Sequence, residues 1–194
     1  MNGNAIRMGI VGAGRVGVDW HVPSIAAAGG STVAIADAAV GRAARAIAAA
    51  SIDPAPTAYD SPQDLIADPS VDAIAICTPP PSHERLALEV IAAGKHLYLE
   101  KPPTMTAAEM HRIRDAAEAR GVIVQSGSNN IYLPDMAYLR REIAGGGFGT
   151  IYAVEARRSF QRGVPQGWHR ERSAGGGVAM NSTAHRIDCA LYLT

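Results

Sequence analysis

The chain has 194 residues, 47% of them hydrophobic, enough to bury a sizeable core. Its 18 basic residues balance 18 acidic ones, so no net field favours a nucleic-acid groove or an anionic membrane surface, and neither partner is expected. No apolar run is long enough for a membrane span or a signal-peptide core, and Cys77 and Cys189 are too few for a disulfide framework; a cytoplasmic protein with two reduced core thiols is expected.

From the start to about Ser126, short apolar or β-branched runs alternate with Ala-rich helical stretches, the rhythm of strand-helix crossovers around a parallel sheet. Strands are expected at 7–11, 32–36, 57–59, 73–77, 96–99 and 122–125, each apolar on both faces as a covered parallel strand should be. Helices are expected at 40–50 and at 85–93, the second stopped by Gly94. Ser61 followed by Pro62 opens a short one, and Thr106 caps a long one ending at Gly121.

The rhythm breaks after Ser126, where SGSNNIYLP leads into a helix at 135–144 and a Gly-rich turn. A strand at 150–158, an irregular stretch to Ser173 and a helix from about Val178 to the last residue follow. One strand and two helices cannot bury a sheet face, so 127–194 is expected to be the beginning of a second α/β domain whose remaining strands are missing.

Gly12, Gly14 and Gly17 stand in G-x-G-x-x-G spacing directly after the first strand and at the mouth of a helix. Gly12 permits the tight turn, Gly14 lets backbone approach a pyrophosphate, and Gly17 allows helix-strand contact; the turn as a whole, with Ala13, Arg15 and Val16, offers N–H groups to the anion. Twenty residues beyond Gly17, at the end of the second strand, Asp37 can accept from an adenosine ribose hydroxyl and would repel a 2'-phosphate. Ala38 and Ala39 bring no cation, and Arg42 is several positions on, so NAD is favoured over NADP. These signals make 1–126 a dinucleotide-binding domain: an α/β fold of the Rossmann type, a doubly wound parallel sheet.

The fourth strand runs into Thr78, Pro79, Pro80, Pro81, Ser82 and His83 at the carboxyl edge where such sheets bind ligands. His83 reads equally well as a helix-start residue or as a cofactor contact. The fifth strand ends in Glu100, Lys101, Pro102 and Pro103, and Lys101 is one of only two lysines beside 16 arginines. A lysine fixed at that edge can aim its ammonium at a substrate oxygen; a solvated lysine next to a turn is the alternative. In GGGVAMNSTAHRIDCALYL, Asn181, His185 and Asp188 fall at i, i+4 and i+7. There they form either a polar helix surface or one site, in which the imidazole takes a proton from a hydroxyl as a hydride leaves the same carbon and Asp188 steadies it. No metal-ligating pattern is expected.

Taken in order, VGAGRVG, Asp37, TPPPSH, EKPP and GGG...NSTAHRID resemble the glucose-fructose oxidoreductase and inositol dehydrogenase (Gfo/Idh/MocA) family over essentially the whole chain. The resemblance implies an NAD(P)-binding Rossmann domain, a second α/β domain with a large open sheet, and oxidation or reduction of a sugar or cyclitol hydroxyl. It also implies that Lys101 binds and polarises the substrate, that His185 is the acid/base, and that Asp188 lies in the site. There are two departures. Asn181 stands where family members commonly carry an aspartate, and the chain stops at Thr194 where they run on into most of the second sheet and the usual oligomer interface. A homo-oligomer or a complementing chain is therefore the expected partner beside the sugar or polyol. A cofactor-binding module without turnover, or a partner subunit, and an NAD-dependent glycosidase are the other two readings.

Overall fold

A computed structural model describes residues 5–157, 159 and 167–194, apart from the side chains of positions 179 and 181. Six parallel strands, β1 (Arg7–Val11), β2 (Ser31–Ala36), β3 (Thr57–Tyr59), β4 (Ala73–Ile76), β5 (His96–Leu99) and β6 (Val124–Ser126), form one sheet in the order β3-β2-β1-β4-β5-β6. This is the doubly wound Rossmann order, reversing between β1 and β4, and it puts a ligand crevice beyond the carboxyl ends of the strands.

Alternation along each strand fixes which helices cover which face. Ile10, Ile35 and Ala75 pack with Val18 of a π-helical turn (Val16–His21) and with Ala43 and Ile47 of α2 (Arg42–Ala50). α1 (Val22–Ala27) continues from that π turn. Their neighbours Val11, Ile74, Ile76, Leu97 and Leu99 face Leu65 of α3 (Pro62–Ala67), Leu86, Val90 and Ile91 of α4 (His83–Ala92), and Ile113 of α5 (Ala107–Arg120). Each such side chain contributes roughly 1.5–3 kcal/mol by leaving water.

The helix boundaries follow local chemistry. Ser61 Oγ accepts from the N–H of Asp64, and Thr106 and Glu109 form a reciprocal capping box. β6 starts two residues later than expected because the N–H of Val122 is taken by the carbonyl of Ala117 at the end of α5. α2 starts at Arg42 instead of position 40 because Gly41, at φ 70, holds a left-handed conformation that helix interiors exclude. Lys95 is spent on the fold: its buried ammonium donates to the carbonyls of Asp68 and Val71, both at 2.6 Å, and burial draws its pKa down.

The chain divides into two compact units, Met1–Ser126 and Gly127–Thr194. In the second, a 3-10 turn (Asn129–Tyr132) and α6 (Pro134–Ala144) pack with α7 (Ala184–Leu193), which continues a π turn (Ala179–Thr183). The strand expected at 150–158 is a correction: residues 150–157 carry neither helix nor ladder, and Arg158 lies outside the described residues. Among the described residues of this unit no second strand exists to take its N–H and C=O groups, and a lone strand in water has no reason to persist.

Candidate functional site

At the end of β1, Gly12 has φ 108, and a Cβ there would lie 2.8 Å from backbone atoms of Cys77. At Gly17 a Cβ would lie 2.3 Å from the carbonyl oxygen of Gly12. Both glycines are demanded by packing. Gly14 differs: nothing stands nearer to its missing Cβ than Arg42 Nη2 at 3.9 Å, which leaves the backbone open to an approaching group. The helical turn that follows has no side-chain cap, and the N–H of Val18 within it donates to the carbonyl of Gly14 at 3.0 Å. Arg15 is exposed, its guanidinium 5.3 Å from the centre of the Trp20 ring, and Val16 is half-buried.

Asp37 closes the other side of the turn. One carboxylate oxygen accepts from the N–H of Ala13 at 3.0 Å and the other from the N–H of Ala39 at 2.9 Å. Each oxygen keeps a second lone pair, which is what a ribose diol requires. Arg42 comes closer than its place in the sequence suggests: Nε is 3.7 Å from the Asp37 carboxylate. The left-handed Gly41 folds the chain back so that the first residue of α2 returns to the end of β2.

The loops after β4 and β5 are bolted together by His83. Its Nε2 faces the carbonyl of Thr78 at 2.8 Å, and its Nδ1 faces those of Pro102 at 3.0 Å and Pro103 at 3.3 Å. The ring is 1% exposed, and burial lowers its pKa against the raising effect of these carbonyls. Ser82 donates to the carbonyl of Pro79 at 2.8 Å, so Thr78 supplies the hydrogen of the 2.7 Å bond between the two hydroxyls. Pro80 is buried and Pro79 exposed.

Glu100 is the most constrained acid of this edge. Oε1 accepts from His21 Nε2 at 3.0 Å, and Oε2 accepts from the N–H of Lys101 at 3.0 Å. Burial pushes its pKa up, but the His21 hydrogen bond and charge, with the amide and charge of Lys101, outweigh this and hold it below the usual glutamate value. Lys101 itself is half-buried. Cys77 lies nearby, and burial, with Glu100 adding, raises its pKa so far that the thiol stays protonated and inert.

Two family models match the chain: "Oxidoreductase family, NAD-binding Rossmann fold" over residues 6–128 and "GFO/IDH/MocA C-terminal domain" over 136–194. The chain belongs to the GFO/IDH/MocA oxidoreductase family. It is 28% identical to D-glucoside 3-dehydrogenase of Escherichia coli, over 100% of this chain and 55% of that one. It is 38% identical to inositol 2-dehydrogenase 1 of Saccharopolyspora erythraea, over 77% of this chain and 44% of that one. An NAD-binding protein from Listeria innocua superposes with a TM-score of 0.85 at 28% identity, covering 98% of this chain and 55% of its own. The chain thus spans about half the length of the curated relatives it matches.

The second GFO/IDH/MocA unit carries the helix with His185 and Asp188. Asp188 Oδ2 accepts a 2.6 Å hydrogen bond from Ser128, at the start of the unit. His185 is half-buried near the start of α7. Asn181 lies in the π turn Ala179–Thr183, where the i→i+5 pattern replaces the α-helical spacing that the sequence suggests, and its side chain lies outside the described residues. The glycine run before the helix has a packing cause: a Cβ at Gly176 would lie 2.6 Å from the carbonyl oxygen of His169. Among the described residues no cluster of metal-ligating side chains forms, and no helix is long and apolar enough to cross a membrane.

Sequence reasoning missed His21, Arg42's return to Asp37, and Ser128. None carries a local signal. Each acts on a residue more than four positions away in the chain, and only the fold makes the contact.

Proposed function

We propose that this chain holds NAD across the carboxyl edge of its sheet and serves an oxidoreductase that exchanges hydride with a sugar or cyclitol hydroxyl. The observation that carries the reading is the Asp37 carboxylate hydrogen-bonded into the glycine turn beside the open face of Gly14, a fit for adenosine ribose and diphosphate in one cradle. The bound nicotinamide supplies the hydride acceptor. Ala13, Arg15 and Val16 with the glycines line the diphosphate, Asp37 takes the ribose diol, and Thr78, Pro79, Pro80, His83 and Glu100 build the wall towards the nicotinamide end, His83 from behind it.

On this reading Lys101 binds and polarises the substrate oxygen. His185 takes the hydroxyl proton as the hydride leaves, because an imidazole exchanges protons near neutral pH. Asp188 steadies the helix face through Ser128, and Asn181 donates to or accepts from the substrate without bringing charge. The dehydrogenase names of the curated relatives support the substrate class.

Calorimetric titration with NAD and NADP, followed by a sugar and cyclitol panel read at the NADH absorbance, tests the proposal. NAD is expected to bind more tightly than NADP, and at least one polyol to reduce it. Absence of heat with both nucleotides removes the reading altogether. Binding without turnover across the panel leaves a cofactor-holding module in its place, and cleavage of an aryl glycoside with NAD required but not consumed leaves a glycosidase.

A further inference from the structure

We propose that His21 is a positioning residue for Lys101, tying the lysine loop to the helix that opens at the glycine turn by way of the Glu100 carboxylate. This rests on the reading of Lys101 given above. Three observations carry it.

First, both oxygens of Glu100 are engaged, one by the His21 ring and the other by the N–H of the lysine itself. An ionised carboxylate only accepts, so His21 Nε2 carries the hydrogen and the bond has a fixed sense. Second, the pair is sheltered, with side chains 14% and 17% exposed, and the imidazole stands edge-on to Tyr98 of β5, ring centres 5.0 Å apart at 68°. Water does not compete for this bond as it does for the exposed pairs of the surface. Third, the same loop packs from behind against the buried His83 ring, whose Nδ1 stands 3.0 Å from the carbonyl oxygen of Pro102 and 3.3 Å from that of Pro103. The backbone on both sides of Lys101 is therefore fixed by imidazoles, one from the segment that begins at the glycine turn and one from α4.

His21 is the last residue of the π turn that starts four positions after Gly12. The element that follows the glycine turn is thus the element that, through Glu100, reaches the lysine's backbone. A change at one is felt at the other without a contact between ligand and lysine.

Trace acetylation over a pH series, read peptide by peptide by mass spectrometry, tests this on the chain alone. Lys95 and Lys101 are its only lysines, and the buried Lys95 serves as internal reference. In His21→Ala the charge of Glu100 acts undivided on the neighbouring ammonium, so Lys101 keeps its proton to higher pH and its labelling at a given pH drops roughly threefold. His21→Gln places an amide N–H where Nε2 stood and restores the native profile; His21→Asn, too short to reach, behaves as the alanine variant. Thermal melts identify folded variants, and if the alanine variant does not fold, the Gln and Asn pair is read alone. An unchanged Lys101 profile in folded His21→Ala or His21→Asn overturns the proposal, as does a Gln variant that labels like the alanine one. The measurement needs neither cofactor nor substrate, so its failure is separate from failure of the dinucleotide titration.

Discussion

The loop at 100–103 and the segment at 151–157 both lie outside helix and strand, and both follow apolar or Gly-rich sequence that announces structure, yet they are held in opposite ways. In the loop, Glu100 N–H donates to Ile76, Lys101 N–H to Glu100, and the carbonyls of Pro102 and Pro103 face His83. In the segment, Tyr152 is 96% exposed, and Arg157 bonds Glu155, its near neighbour in the chain. Irregular backbone is specific where its polar groups are answered by distant elements, and less so where, among the described residues, a near neighbour answers.

The sharpest way to break this contrast is at glycines. Gly12→Ala must accommodate a Cβ at 2.8 Å from fixed backbone and a φ of 108, and is expected to cost about 3 kcal/mol or more, enough to abolish nucleotide binding. Gly146→Ala in the second unit meets nothing within 4 Å and bears only the left-handed φ of 79, a cost of about 1 kcal/mol. Paired denaturant titrations check the difference, and equal costs would mean that the glycine turn is no more constrained than a surface turn.

His83→Leu follows at about 2 kcal/mol, since the neutral ring donates from one nitrogen only and its loss leaves the carbonyl it serves, that of Thr78 or those of Pro102 and Pro103, without a donor. It also carries a pH signature. The folded ring has a pKa below the unfolded value of 6.5, so as pH falls through 6.5 the unfolded chain takes up a proton that the folded one refuses. Stability conferred by the neutral ring is present above 6.5 and declines from there down to the lower folded value. Melts from pH 8 to 5 should show that decline in the native chain and a flatter curve in His83→Leu; parallel curves would assign the acid sensitivity elsewhere.

Asp37→Ser removes the carboxylate proposed to take the ribose and releases Arg42 from its 3.7 Å pairing. NAD affinity is expected to drop about tenfold while NADP affinity rises, because the guanidinium becomes the nearest partner for a 2'-phosphate. An unchanged preference in the two titrations would show that Arg42 and Asp37 do not set it.

The periodic parts of the molecule were legible in the sequence. The alternation of apolar runs with Ala-rich stretches pointed to the parallel sheet, Thr106 to the start of α5, and Gly12 and Gly17 to the tight turn after β1, because each signal is local and has one cause. The 150–158 strand was not legible as absent, since its β-branched and aromatic residues say only that it can pair, and pairing is a property of a second segment. His21 was invisible for a similar reason: its meaning comes from Glu100, 79 residues away. His83 was read as either of two things because its backbone position starts α4 while its ring reaches across to another loop.

The smallest expected effect tests the second unit on its own terms. Ser128 lies just after β6, and its hydroxyl reaches Asp188 one turn beyond His185 on α7 at 2.6 Å. Ser128→Ala removes the donor but leaves the half-buried carboxylate some access to water, so the cost is about 1 kcal/mol and not the larger penalty of a sealed charge. Because the bond joins the first residues of the unit to its last helix, the loss should appear as faster amide exchange in α7 and in Asn129–Tyr132, with the exchange of β1 and β4 unchanged. Ser128→Thr keeps the hydroxyl and should exchange like the native chain. Faster exchange confined to the mutated turn would mean that Asp188 is held by the helix alone, and that the polar face of α7 owes nothing to the segment that opens the unit.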